Sequence, residues 1–385
     1  MPGRRLDHID SMRPIKQAGV ISTHVLMYFT PASAGLSPGA LLDLTHVSRE
    51  GFFFVSACML TYTYRDMKRS DLRHFYVRRF ISVGIPYLCW TLIYFLFLLP
   101  RAHYASPAAA FGDLGHMLGG GYFQLYFLLA IMQFYVVFPL VLVMLRRTRG
   151  HHGIVVAVAA AGQLALVILL RRGIITSTWS MQDPASYMLY LIGGGVVAYH
   201  LTEVHEWLCR HARLVIGLTV VAALAAVGVY YLASEGVTTV LGYGDSAFQP
   251  SLIPFNVGAI ACVYLAGTAL AKPGRSRRMR AMVRSGVDNA FGIYLTQMIF
   301  ITALIWVGWG SLDSVVWWPA FCLLTVVIVY LGGVALTSVI ARTPLAVALT
   351  GRQRQSWRSL LPRREGAGLR RRAGISGQIP VQQPE

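Results

Sequence analysis

The chain has 385 residues, 55% of them hydrophobic and 13% charged, with a formal net charge of +18. A single soluble core cannot hide so much apolar surface, so lipid must replace water around much of the chain. The basic residues punctuate long apolar runs instead of gathering on one amphipathic domain, which excludes a nucleic-acid footprint, and the runs lack the short alternation of a strand barrel.

Runs of this length cross a hydrocarbon core of roughly 30 Å as helix. In chain order the expected spans are residues 14–31, 48–64, 80–100, 121–145, 154–171, 184–202, 213–234, 250–271, 286–307 and 315–340. The fold class is therefore all-α, a polytopic transmembrane helical bundle of about ten spanning helices. The first run resembles a leader ending in Ala32-Ser33-Ala34, but Gln17 and His24 interrupt it and Pro31 precedes the cut, so it is read as a retained span.

Lys and Arg concentrate in alternate connections. Arg4, Arg5, Arg13 and Lys16 lie at one side, with Arg65 to Arg79, Arg146 to Arg149, Arg210 and Arg213, Lys272 to Arg284 and the tail from Arg342. The opposite connections keep Arg101, Arg171 and Arg172, with Arg49 at a helix mouth. Basic loops face the cytoplasm, so both termini are expected there in a multi-pass protein of the cell membrane. Residues 1–345 form the expected membrane domain, and residues 346–385 a basic, disordered cytoplasmic tail.

Cys58, Cys89, Cys209, Cys262 and Cys322 have no paired framework and read as packing residues. No phosphate loop, zinc spacing or nucleophile elbow occurs, and no metal is expected. Gly193-Gly194-Gly195 reads as a site of close helix packing.

Ionisable groups inside a span are costly and point to function. His24 follows Arg13 by eleven residues, which returns to nearly the same helix face roughly 16 Å further along. That matches the reach of a phosphopantetheine arm, on the order of 15 Å, with Arg13 at the headgroups and an imidazole able to move protons near the bilayer centre. The other reading of His24 is a hydrogen bond between helices. Arg49 and Glu50 open the second span, either as a mutual ion pair or as groups that orient His24 or bind a sugar hydroxyl. Arg78 and Arg79 precede the third span and suit either an anionic cofactor or lipid headgroups.

The Arg13 and His24 pair, Arg-Glu-Gly-Phe-Phe-Phe-Val-Ser at 49–56, Tyr76-Val77-Arg78-Arg79-Phe80 leading to Ile85-Pro86-Tyr87, the aromatic run Tyr122–Pro139 and Phe291-Gly292-Ile293-Tyr294-Leu295-Thr296 together resemble the integral-membrane acyltransferase family 3. The resemblance implies about ten helices, an acyl-CoA co-substrate bound from the cytoplasm, and transfer of a short acyl group, commonly acetyl, to a hydroxyl acceptor. It makes Arg13 and His24 the functional pair of the first helix and brings Ser56, Tyr294 and Gln297 into the candidate set. Departures are Ser82, where the family often has a second Arg, Ala57 after Ser56 in place of Gly, and Gln297 where a His is frequent.

The expected function is thus a membrane acyltransferase that moves acetyl from acetyl-CoA to a glycan, lipid-linked sugar or secondary metabolite. Arg13, Lys16, Arg78 and Arg79 would hold the donor's phosphates, and His24, with Arg49 and Glu50, would act as base or acyl relay. The alternative is a transporter of a polysaccharide or lipid-linked sugar, which lacks a visible inverted repeat. Tyr104, Tyr122, Phe123 and Trp179 suit either sugar stacking or an interfacial aromatic belt.

Overall fold

The computed structural model describes residues 7–31, 35–175, 180–237, 248–272, 274–314 and 316–356. Ala32-Ser33-Ala34, Trp179 and the tail from residue 357 lie outside the described residues. Among the described residues there are helices and turns but no strand.

The first half comprises α1 (Asp7–Asp10), α2 (Met12–Phe29), α3 (Ser37–Thr45), α4 (Val47–Tyr64), α5 (Leu72–Leu98), α6 (Pro107–Gly120) and α7 (Tyr126–Arg147). The second comprises α8 (His152–Arg171), α9 (Met188–Tyr199), α10 (Leu201–Arg210), α11 (Ala212–Ser234), α12 (Leu252–Ala271), α13 (Arg277–Trp306), α14 (Trp318–Ile340) and α15 (Ala346–Thr350). Local chemistry sets several starts. Ser106 accepts the Ala109 amide hydrogen ahead of Pro107, and Ser276 does the same for Met279, each satisfying an otherwise orphaned helix donor.

Seven helices are long and apolar enough to cross a membrane: those containing α5, α7, α8, α11, α12, α13 and α14. The other three expected spans are also helical, over α2, α4 and α9, but do not reach that standard. The reasons are visible in their residues. The eighteen-residue α2 and α4 carry Arg13 with Lys16 and Arg49 with Glu50, while α9 has twelve residues and is roughly 18 Å long.

Two large apolar cores hold the bundle, with a smaller one where Ala226 of α11 meets Leu252 and Phe255 of α12. One joins α4, α7, α9 and α12 through Phe53, Ala57, Phe138, Tyr190 and Ile260. The other joins α2, α13 and α14 with the Trp90 and Tyr94 end of α5, through Ile21, Val25, Ile293 and Val329. The axes of α4 and α9 approach closely at Gly194, where a Cβ would lie 2.3 Å from the Phe54 carbonyl oxygen, as expected of the glycine run. The five cysteines are free. In α8, α11 and α14 only 17%, 22% and 22% of the apolar window is buried within the protein, which leaves the remainder for lipid.

After α14 the chain turns back. Helix α15 packs against α5, where the Trp90 indole N–H donates to the Leu349 carbonyl at 2.9 Å. Gln355 N–H then donates to the Ala341 carbonyl at 2.8 Å, so residues 346–356 belong to the packed bundle.

Candidate active site

The basic end of the bundle opens into a cavity of about 350 Å³ between α2, α4, α5, α7 and α13. Helix α4 supplies one wall from Thr63 through Met59, Ser56 and Val55 to Phe52. The rise over the eleven residue steps from Phe52 to Thr63 makes that wall roughly 16 Å long. Val83 and Ser82 of α5, Ile131 and Phe127 of α7, and Ala290, Phe291 and Tyr294 of α13 complete it.

Three ionisable side chains of one sign line the cavity: Arg13, Arg79 and Arg352. Among the described lining residues there is no carboxylate. Arg13 pairs with Asp10 at 3.2 Å, and Arg352 approaches Asp288 at 3.7 Å. The Arg79 guanidinium lies 5.1 Å from the Tyr64 ring centre, and its buried Nε has no hydrogen-bond partner among the described residues. The result is a deep apolar slot with cations at one end, suited to an anion that carries a long uncharged arm. A neighbouring cavity of about 550 Å³ is lined by Arg277, Arg280 and Arg284 but also by Asp7 and Asp10, so it has no such single sign.

The remaining candidates divide between this cavity and the protein interior. Ser56 and Tyr294 line the slot. Arg78 is exposed on α5 and does not. Lys16 is fully enclosed: its ammonium donates to the Gly51 carbonyl at 2.7 Å and lies 4.1 Å from the Phe52 ring centre. It therefore joins α2 to α4 behind the cavity wall. Gln297 accepts from the Gln17 amide at 3.2 Å, and both are completely buried, on the stretch of α2 between Arg13 and His24.

Arg49 and Glu50 form a buried pair, with two donors of the Arg49 guanidinium on one carboxylate oxygen of Glu50 at 2.5 and 3.1 Å. Aromatic rings flank the guanidinium, Tyr187 at 5.2 Å and Phe248 at 4.7 Å. The second Glu50 oxygen is buried and has no hydrogen-bond partner among the described residues.

His24 is on the same continuous helix as Arg13 but does not line the cavity. Its ring meets Phe123 edge-on at 6.2 Å, and its buried Nδ1 has no hydrogen-bond partner among the described residues. No hydrogen bond joins His24 to Glu50 in this arrangement. The turn that bears Phe123 connects His24 with the inner end of the slot. Tyr294, at the inner end of the slot, donates its hydroxyl hydrogen to the carbonyl of Gln124, the residue after Phe123. Phe123 is the one non-glycine among the described residues with positive φ, at 48°, a conformation that costs on the order of 1–2 kcal/mol. The Phe127 ring closes the same place, 5.8 Å from that of Tyr294.

Sequence reasoning named Gln17 only as a polar interruption of the first span and did not single out Gln124, Tyr187, Phe248 or Arg352. Arg352 falls in a basic run that reads as tail, and the strained turn at Phe123 leaves no trace in residue type, because Phe is not a residue that favours positive φ.

The described residues thus form a helical bundle whose cavity carries three guanidinium groups, with the partly buried His24 on the same helix as Arg13. The acyltransferase domain of family 3 matches residues 7–334, and the chain belongs to that family. It is a membrane acyltransferase in that broad sense. No curated protein and no solved structure matches it significantly.

Proposed function

We propose that this protein transfers a short acyl group, acetyl, from acetyl-CoA to a hydroxyl of a glycan, lipid-linked sugar or secondary metabolite, with His24 as the base. The observation that carries the reading is the acid-free slot with Arg13, Arg79 and Arg352 at its basic end. Its α4 wall, roughly 16 Å long, fits a phosphopantetheine arm on the order of 15 Å. The phosphates remain with the guanidinium groups while the thioester reaches Phe127 and Tyr294. By the rule that basic loops face inward, this end and both termini are cytoplasmic, so the donor enters from the cytoplasm.

Transfer requires the turn at Phe123–Gln124 to move aside, which brings the thioester carbonyl and the imidazole into one space. His24 then takes the acceptor's hydroxyl proton as the oxygen attacks the carbonyl carbon. The C–S bond breaks, and the thiolate leaves and takes the proton back from the imidazole, so neither donor nor protein retains charge. The positive φ of Phe123 supports such a gate, because strained backbone of this kind clusters at switch regions. The test is to supply the purified protein with acetyl-labelled CoA and candidate hydroxyl acceptors. Label on an oxygen ester is the expected product, and solute flux without any acyl product would overturn the reading.

A further inference from the structure

We propose that the segment following α14 is part of the donor site, with Arg352 as the third guanidinium that binds the donor's phosphates. This rests on the acyl-CoA reading above and extends it to residues beyond 334, outside the family match.

Three observations support it. First, Thr350, Gly351 and Arg352 line the same slot as Arg13 and Arg79, although they come from the other end of the chain. Second, the segment is built into place. Trp90 holds Leu349, Arg354 Nε donates to the Arg342 carbonyl at 2.8 Å, and Arg352 Nη1 donates to the Asp288 carbonyl at 2.5 Å while its guanidinium stays near the Asp288 carboxylate. Third, the crossing point requires glycine. Gly351 has φ of 62°, and a Cβ there would lie 2.2 Å from the Ser82 carbonyl oxygen. The chain thus passes directly over Ser82, a small neutral residue on the cavity wall, and sets the Arg352 cation beside it.

Asp288 holds Arg352 without lining the slot, and the guanidinium is a planar fork of the kind that binds phosphate oxygens. An Arg at this place serves as a planar fork for phosphate oxygens, which a Lys replaces only in part.

The experiment measures binding of CoA, and of phosphate-free pantetheine, to the full chain in nanodiscs of zwitterionic lipid by calorimetry. Arg352→Ala is expected to weaken CoA by about tenfold or more, the value of a hydrogen-bonded charge, and to leave pantetheine unchanged, with Arg352→Lys in between. Unchanged CoA affinity in Arg352→Ala beside weakened affinity in Arg79→Ala overturns this inference alone. So does equal loss of CoA and pantetheine, which marks the segment as a structural strap, or an effect confined to discs containing anionic lipid, which assigns Arg352 to headgroups. Absence of CoA binding by the wild-type chain overturns the donor reading itself.

Discussion

The Tyr294 hydroxyl donates to the Gln124 backbone carbonyl, so α13 is latched to the turn that presents Phe123 to His24. The inner end of the slot and the surroundings of the imidazole are thereby one mechanical unit. Tyr294→Phe removes the latch and little volume. Its expected effect is a stability loss of about 1 kcal/mol, a higher transfer rate because the turn that must move aside is no longer held, and a CoA affinity within about twofold of wild type. Thermal unfolding, steady-state acetyl transfer and CoA calorimetry on the same preparation check the three parts, and an unaltered rate removes the latch from the mechanism.

The buried Arg49–Glu50 pair makes a separate prediction. Arg49→Met leaves the Glu50 carboxylate enclosed beside Tyr187 without its counter-charge and is expected to cost about 3–5 kcal/mol. The double change Arg49→Met with Glu50→Gln removes the stranded charge and is expected to recover much of that loss. Unfolding midpoints of the single and double variants decide it. Equal destabilisation in both would show that contacts of the Arg49 stem, rather than the charge pair, hold this place.

Much of the helical frame was legible from the sequence, because apolar length is a strong signal: a helix occupies each of the ten expected spans, and seven meet the length and hydropathy of a membrane crossing. Arg13, Ser56, Arg79 and Tyr294 were legible as site candidates through their motifs, and all four line the slot. Spacing along one helix placed Arg13 and His24 on a common face, but it carried no information about what fills the space between them. That is decided by partners far away in the chain, Gln297 against Gln17 and the Phe123 turn against His24. Composition likewise assigned residues 346–356 to a tail, since a short basic stretch gives no hint that Trp90 and Ser82 provide a seat for it.

Gly193 and Gly194 are neighbours with opposite expected behaviour. A Cβ at Gly194 would meet the Phe54 carbonyl oxygen at 2.3 Å, so Gly194→Ala is expected to destabilise by about 1–3 kcal/mol as α9 is pushed from α4. A Cβ at Gly193 meets nothing within 4 Å, and Gly193→Ala is expected to be neutral or to stabilise by up to about 1 kcal/mol through helix propensity. Unfolding midpoints of the two variants, measured side by side, test the packing of α4 on α9.

His8 gives the protein a pH dependence at its basic end. Burial, and the His205 ring 5.5 Å away, hold the His8 imidazole below its ordinary pKa of 6.5, while Asp7 and Asp10 oppose the shift. A folded-state pKa below the unfolded value means that the folded protein prefers neutral His8. Its stabilising contribution is therefore fully present above about pH 6.5 and is lost as pH falls through the lower folded value. His8→Gln is expected to flatten the acid side of a plot of unfolding midpoint against pH between about 7 and 5. A slope identical to wild type would assign the acid response to other groups.

The central claim is that the imidazole on α2 performs the proton transfer for acylation. The most direct measurement supplies acetyl-labelled CoA to membranes containing the wild-type chain or His24→Ala and follows label into their lipid and polysaccharide fractions, with CoA affinity measured in parallel. Ester-linked label is expected in wild type, with a loss of about 100-fold or more in His24→Ala, the scale of general base catalysis, at unchanged CoA affinity. Undiminished labelling by His24→Ala would contradict it.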